Sequence, residues 1–158
     1  NALISGNETS STNASVLAVN ESDVVAANCT FADNSPQGAQ AVILWSGHLT
    51  ITNSIMWSNA LNLQADPPCP TCFTVAYSDI QGGWPGTDNI DADPQFVDAV
   101  AEDYRLGVGS PCIDAGTPVG APSVDIVGTP RDTAPDMGAY EWEGYRIFLP
   151  LTAKGLGA

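Results

Sequence analysis

The chain is predicted to be all-β, a parallel β-helix with a loop-rich C-terminal cap and an apolar tail strand. Three observations carry the coil. Asn28-Cys29-Thr30-Phe31, Asn53-Ser54-Ile55-Met56 and Ser78-Asp79-Ile80-Gln81 start at positions 28, 53 and 78, a spacing of 25 residues. Each follows a short run rich in apolar or β-branched residues: Val24–Ala27, Leu49–Thr52 and Thr74–Tyr77. Each run is broken by Asn, Gly or Pro, which marks strands and not helices. A fixed period in this range is the signature of a solenoid. The dense leucine spacing of a leucine-rich repeat is missing.

One repeat cannot bury its apolar face alone, so stacking would place Val24, Leu49 and Thr74 about 4.8 Å apart from turn to turn. Asn28, Asn53 and Ser78 would then form a polar ladder at a corner, side chain bonding to side chain.

Composition limits the function classes. The chain has 158 residues, 18 of them acidic against 4 basic, a formal charge of −14. That argues against nucleic acid and anionic membrane surfaces as partners, because both need Lys and Arg. Polarity comes from Ser, Thr, Asn, Asp and Gly, the residues of turns. No window is apolar for 18 residues, so no transmembrane span is expected. No signal peptide is visible at Asn1. Asn1–Asn7 already reads as the end of a coil turn. Either upstream sequence has been removed, or Asn1 is a mature terminus that stacks on something else.

The expected organisation is 1–84 as coil turns, 85–143 as terminal turns and cap of the same domain, and 144–158 as a tail strand. In the first part, Leu3-Ile4 and Val16–Val19 read as strands, and Ala41–Trp45 is the most hydrophobic strand of the chain. Asn-x-Ser/Thr sequons at Asn7, Asn13 and Asn20 are glycosylation candidates on exposed loops. A fourth sequon, at Asn28, is assigned to the ladder instead. His48, the one histidine, sits in a turn and reads as a surface residue.

Asp66-Pro67-Pro68-Cys69-Pro70-Thr71-Cys72 is a protruding loop, since three prolines exclude a ladder strand. No helix follows to activate a redox thiol, and no second Cys pair completes a zinc site. A structural disulfide between Cys69 and Cys72 is the expectation, in an oxidising compartment. Cys29 and Cys112 either pair or stay as buried thiols.

After Gly83 the period stops and five phrases follow. They are Asn89-Ile90-Asp91-Ala92-Asp93-Pro94-Gln95-Phe96, Asp103-Tyr104-Arg105-Leu106, Ser110-Pro111-Cys112-Ile113-Asp114-Ala115-Gly116, Asp125-Ile126-Val127-Gly128-Thr129-Pro130-Arg131 and Asp136-Met137-Gly138-Ala139-Tyr140-Glu141-Trp142. In this order, with the coil before them, they resemble the C-terminal part of secreted bacterial right-handed parallel β-helix proteins of the choice-of-anchor or polymorphic-outer-membrane type. The resemblance covers roughly residues 24–143. It implies a right-handed coil ending in these phrases and an extracellular or cell-surface setting. It implies no enzyme activity, and the same fold also hosts polysaccharide lyases.

Lyases of this fold use Arg or Lys as base, with Asp residues holding calcium over an acidic substrate. Here Arg105, Arg131 and Arg146 all lie in the cap or tail. Arg131, between Asp125 and Asp136, is expected to make a structural ion pair. Asp91 and Asp93 alternate, but a glycosidase pair must stand about 5–9 Å apart and Asp93-Pro94 reads as a turn. No catalytic residue is assigned. Asp88, Asp91, Asp93, Asp98 and Asp125 are calcium candidates, with turn-capping as the alternative. No other cofactor is expected. Trp45, Trp57 and Trp84 are the candidates for holding sugars, with covering the coil's flank as the alternative.

Beyond Gly144, Tyr145, Ile147, Phe148, Leu149 and Leu151 form an apolar tail, which either folds back along the coil or adds to a neighbouring copy. The functional expectation is a non-enzymatic extracellular structural or adhesive module. It would self-associate through an open first turn and this tail, as in a surface filament, and surface glycans are further candidate partners. The alternative is a carbohydrate-binding or lyase-like protein.

Overall fold

The computed structural model describes residues 1–9, 15–36, 40–59 and 63–144. Fourteen short strands occur among them, and the one helix is a three-residue 3-10 turn, Ala99–Ala101. The strands are β1 (Ala2–Ser5), β2 (Glu8–Thr9), β3 (Ser15–Val19), β4 (Ser22–Ala27), β5 (Cys29–Ala32), β6 (Ser35–Pro36) and β7 (Gln40–Leu44). They continue as β8 (Gly47–Thr52), β9 (Ile55–Trp57), β10 (Leu63–Ala65), β11 (Phe73–Ala76), β12 (Asp79–Ile80), β13 (Phe96–Asp98) and β14 (Asp103–Leu106).

Equivalent strands of successive repeats pair in parallel. Sheet I runs β1-β5-β9-β12, sheet II β3-β7-β10 and sheet III β4-β8-β11. Each of the first three repeats thus contributes one strand to each sheet, and β12 adds a fourth strand to sheet I, an arrangement compatible with a β-helix. The register puts Ile4, Phe31, Met56 and Ile80 in one row, Leu17, Val42 and Leu63 in a second, and Val24, Leu49 and Phe73 in a third. These rows meet in one apolar cluster. In β8 the pleat buries Leu49 and Ile51 and leaves His48, Thr50 and Thr52 at the surface.

The register corrects one expectation. Val24 does lie over Leu49, but Leu49 lies over Phe73 and not over Thr74, which pairs with Thr50. The third repeat is one residue shorter than the second. The same shift moves Ser78 out of the corner. Asn28, Asn53 and Tyr77 hold the corner, with φ of 51°, 51° and 50°. Ser78 instead continues a hydroxyl ladder. The Cys29 N–H donates to Ser54 Oγ, the Ser54 N–H to Ser78 Oγ, and the Ser78 N–H to Asn89 Oδ1. Asparagine holds the left-handed region more readily than most residues, which suits it to such corners.

Sheet I is buried on both faces. All four residues of β5 are buried, because the outward row Leu3, Thr30, Ile55 and Asp79 carries a layer of its own. That layer is the C-terminal segment, which does more than close the last repeat. Residues 84–93 lie on the last repeat, where Trp84 packs edge-on against Phe73 and Ile90 bridges to Asp79. The segment from Ser110 to Trp142 then runs back across sheet I. The Ala139 N–H donates to Thr30 Oγ1, Cys112 Sγ lies 3.3 Å from Asp79 Oδ2, and Met137 and Cys112 join Ile55 in a second apolar cluster. Between these parts, β13 and β14 form an antiparallel hairpin in which Phe96 meets Tyr104 edge-on at 5.2 Å. The Tyr104 hydroxyl donates to Asp33 Oδ2, fixing the hairpin to the second repeat.

Gly138 sets how closely this layer approaches. Its φ is +95°, and a Cβ there would stand 2.8 Å from both Ile55 Cδ1 and Thr30 Oγ1. Gly120 has a similar φ of +80° with nothing within 4 Å. Gly138→Ala should therefore lower unfolding free energy by about 2–4 kcal/mol, and Gly120→Ala by about 1 kcal/mol, since only the first adds overpacking to backbone strain. Denaturant melts of the two variants check the difference.

Candidate functional site

The polar chemistry of the molecule concentrates where the C-terminal layer meets sheet I. Asn53 is fully buried. Its Nδ2 donates to Asn28 Oδ1 and Thr117 O, and its Oδ1 accepts from the Thr117 N–H. Asn28 Nδ2 donates to Asp136 O, and the Gly138 N–H donates to Asn53 O. The corner amides thus bond the layer as well as each other.

Three buried carboxylates organise the layer. Asp125 accepts from the Val127 and Thr129 N–H groups through Oδ1 and from the Glu141 N–H through Oδ2. Asp136 accepts from the Asp114 and Trp142 N–H groups. Asp79 Oδ1 accepts from the Ala92 N–H, and the Cys112 thiol faces its other oxygen. Burial pushes both Asp79 and Asp136 up to about 6, further than their backbone donors pull them down. Burial also pushes the Cys112 thiol up, with Asp79 adding to it, so the thiol is protonated and donates. Cys29 is buried with its thiol raised by the same cause. Neither thiol is paired, whereas Cys69 and Cys72 form the expected disulfide.

Arg131 is the expected structural ion pair, with a partner the sequence did not single out. Its side chain is 2 % exposed and meets Glu141 Oε2 at 2.5 Å. It also donates to Asp136 O, Gly138 O and Asn1 Oδ1. Asp125 and Asp136 flank it in sequence but spend their oxygens on backbone N–H groups. Arg105 is exposed and paired with Asp103. Arg146 lies outside the described residues.

The calcium candidates are dispersed. Asp91 accepts from the Gly82 N–H, Asp93 from the Gln95 N–H and Asp98 from the Ala101 N–H, each an exposed turn or cap. Asp88 is exposed in the left-handed region. Among the described residues no three His, Cys, Asp or Glu side chains come together in a way that could hold a metal ion. Of the sequons, Asn20 Oδ1 accepts from Ser46 Oγ, and Asn7 Nδ2 donates to Ser5 O and Asn34 Oδ1. Both are exposed. Asn13 and the tail residues Tyr145, Ile147, Phe148, Leu149 and Leu151 lie outside the described residues. His48 bonds Thr74 at the surface.

Among the described residues, two concavities stand out. The larger, about 650 Å³, lies between the β13–β14 hairpin and the end of the C-terminal layer, with Val97, Arg105, Val108, Tyr140, Trp142 and Glu143 on its walls. The smaller, about 280 Å³, is lined by Asp33, Trp57, Asp93 and Phe96 among others. Of the tryptophans named from sequence, Trp57 borders the smaller one, Trp84 covers Phe73 and Trp45 is exposed. Trp142 was not singled out from sequence, where it read as part of a terminal phrase.

No protein-family model matches the chain, and no curated protein and no solved structure matches it. The resemblance to secreted bacterial β-helix proteins therefore rests on its phrases alone.

The buried carboxylates give a pH dependence whose sign is fixed. Asp79 and Asp136 have folded-state values raised to about 6 from 3.8. The folded protein prefers them protonated, so their stabilising contribution is full below 3.8 and is lost as pH rises through about 6. Stability should increase between pH 7 and pH 5, by about 1–2 kcal/mol per group after allowance for screening. Asp79→Asn, which keeps an acceptor for Ala92, should flatten this rise in thermal melts across that range.

Proposed function

We propose that the protein is a non-enzymatic extracellular structural or adhesive module built on a right-handed parallel β-helix. Right-handedness is supported by the general rule that parallel crossovers within one sheet are right-handed in about 98 % of cases. The observation that carries the functional reading is the use made of buried polar groups. Asn28, Asn53, Ser54, Ser78, Asp79, Asp125 and Asp136 are all buried, and each bonds backbone, a ladder neighbour or a facing thiol. Catalytic groups need a free valence toward a substrate, and these have spent theirs on shape. The acidic surface and the disulfide at Cys69–Cys72 favour an oxidising, extracellular setting.

A carbohydrate-binding reading has one observation in its favour. The larger concavity combines the rings of Tyr140 and Trp142 with the exposed guanidinium of Arg105. Ring faces are what a sugar packs against, while the Arg105 Nε and Nη2 donors are already paired with Asp103. Such binding would serve adhesion without turnover.

One experiment separates these readings from catalysis. The protein is incubated with acidic and neutral polysaccharides, with and without calcium, and both retention on the polymer and release of new chain ends are followed. No release is expected. Turnover that disappears in Arg105→Ala, with the variant's melting temperature unchanged, would replace the structural reading by the lyase-like one.

A further inference from the structure

The smaller concavity brings two carboxylates, Asp33 and Asp93, together with two aromatic rings, Trp57 and Phe96. One wall is the corner that follows β5 and β9. Ala32 pairs with Trp57, and the Asp33 N–H donates to Trp57 O, so Asp33 and Ser58 stack there with φ of 52° and 56°. The other wall is the approach to the β13–β14 hairpin, carrying Asp93, Gln95 and Phe96. The Tyr104 hydroxyl, donating to Asp33 Oδ2, holds the two walls together. The hollow measures about 280 Å³. That lies at the small end of ligand sites, room for one ring-sized group.

Each carboxylate spends one oxygen on the fold and keeps the other. Asp33 Oδ2 accepts from Tyr104 and Asp93 Oδ1 from the Gln95 N–H. Among the described residues, Asp33 Oδ1 and Asp93 Oδ2 accept nothing. The described cationic side chains are engaged elsewhere. Arg105 pairs with Asp103, Arg131 with Glu141, and His48 bonds Thr74. Arg146 and Lys154 lie outside the described residues.

Carboxylates set beside ring faces select the kind of cation they take. A hard metal ion wants six or more oxygen donors, and among the described residues no three metal-ligating side chains come together. An ammonium group is satisfied by one or two carboxylates and is attracted by the face of an indole or phenyl ring. The half-buried rings of Trp57 and Phe96 offer such faces.

We propose that this hollow binds the protonated amine of an amino sugar, a 2-amino hexose unit of a polysaccharide, with Asp33 and Asp93 holding the ammonium and Trp57 meeting the sugar ring. A lysine side chain from another protein carries the same charge but fits less well. Ser58 and Gln95 add a hydroxyl and an amide to the rim, which suit ring hydroxyls and would go unmatched against a bare methylene stem. The formal charge of −14 favours a cationic polymer over a neutral one. The site is separate from the larger concavity and does not rest on the carbohydrate reading given to it.

The test titrates the full chain with a short glucosamine oligomer and follows backbone and indole N–H signals by NMR, at a pH between the carboxylate and amine ranges. Saturable shifts should centre on Trp57, Ser58, Gln95 and Phe96, and binding should weaken as salt is raised. The N-acetylated oligomer, which has no charge, should bind about tenfold more weakly. Asp93→Asn keeps an acceptor for the Gln95 N–H and should weaken binding about fivefold. Asp132→Asn removes an exposed carboxylate outside the hollow, keeps an acceptor for the Ala134 N–H, and should change nothing. Equal loss in both variants, equal binding of the N-acetylated oligomer, shifts centred on Trp142, or no saturable shift overturns the site. An Nα-acetyl-lysine amide that binds as tightly, with the same dependence on Asp93, assigns the hollow to a protein's lysine and overturns the sugar. Shifts at the hollow on replacing Arg146 and Lys154 by Gln, with no ligand added, assign the carboxylates to this chain's own cations and overturn it as well.

Discussion

Asn53 is the residue on which the rest of the structure depends. Its buried side-chain amide bonds Asn28 in the repeat before it and Thr117 in the returning C-terminal segment. Its carbonyl takes the Gly138 N–H. Three parts of the chain that are distant in sequence are thereby fixed to one another. A buried amide with these partners is stable only while all are present, because each orphaned group would carry its full desolvation cost. The corner thus couples repeat stacking to closure of sheet I. The apolar rows supply bulk stabilisation, but apolar burial is indifferent to a slip of one repeat. The corner amides are not.

The second consequence is that sheet I becomes an internal layer. The outward row Leu3, Thr30, Ile55 and Asp79 would otherwise be a wet face, as in the alternating β8 of sheet III. Covering it lets the core continue from Phe31 and Met56 through Ile55 to Met137 and Cys112. The cover is only one segment thick, so its own backbone groups need partners. Asp125, Asp136 and Arg131 provide them within the segment. This explains why the acidic side chains here are buried while the overall charge is strongly negative. They act as acceptors for a segment with little regular secondary structure, and not as a charged face.

The repeats were legible because they obey a local rule. The parallel strands around Val24, Leu49 and Val75, the corner at Asn28 and Asn53 and the Cys69–Cys72 staple could all be read from spacing and turn chemistry. The third repeat could not be placed to the residue, because its single-residue shortening is the net of a shorter connection before β10 and a longer one after it. Ser78 was assigned to the corner for that reason, where Tyr77 stands. The return of the C-terminal segment across sheet I had a weaker signal. Both Thr30 and Asp79 sit in outward positions of β-strands, and nothing in one dimension shows that Ala139 and Cys112 will meet them. Glu141 as the partner of Arg131 was hidden likewise, since Asp125 and Asp136 are equally near in sequence. Only the backbone N–H groups they accept distinguish them.

The function follows less directly, and the physics says why. A catalytic carboxylate and a structural one can both be buried with a raised proton affinity, as Asp79 and Asp136 are. What separates them is where the remaining lone pairs point. Asp79 faces a thiol that burial keeps protonated, inside the contact between sheet I and its cover. Asp136 faces two backbone N–H groups of the cover itself. Burial raises both, and neither is presented to solvent. The exposed side chains at the larger concavity, Arg105 and Trp142, stand apart from this network. Any recognition there would be layered on a frame whose own chemistry is already committed.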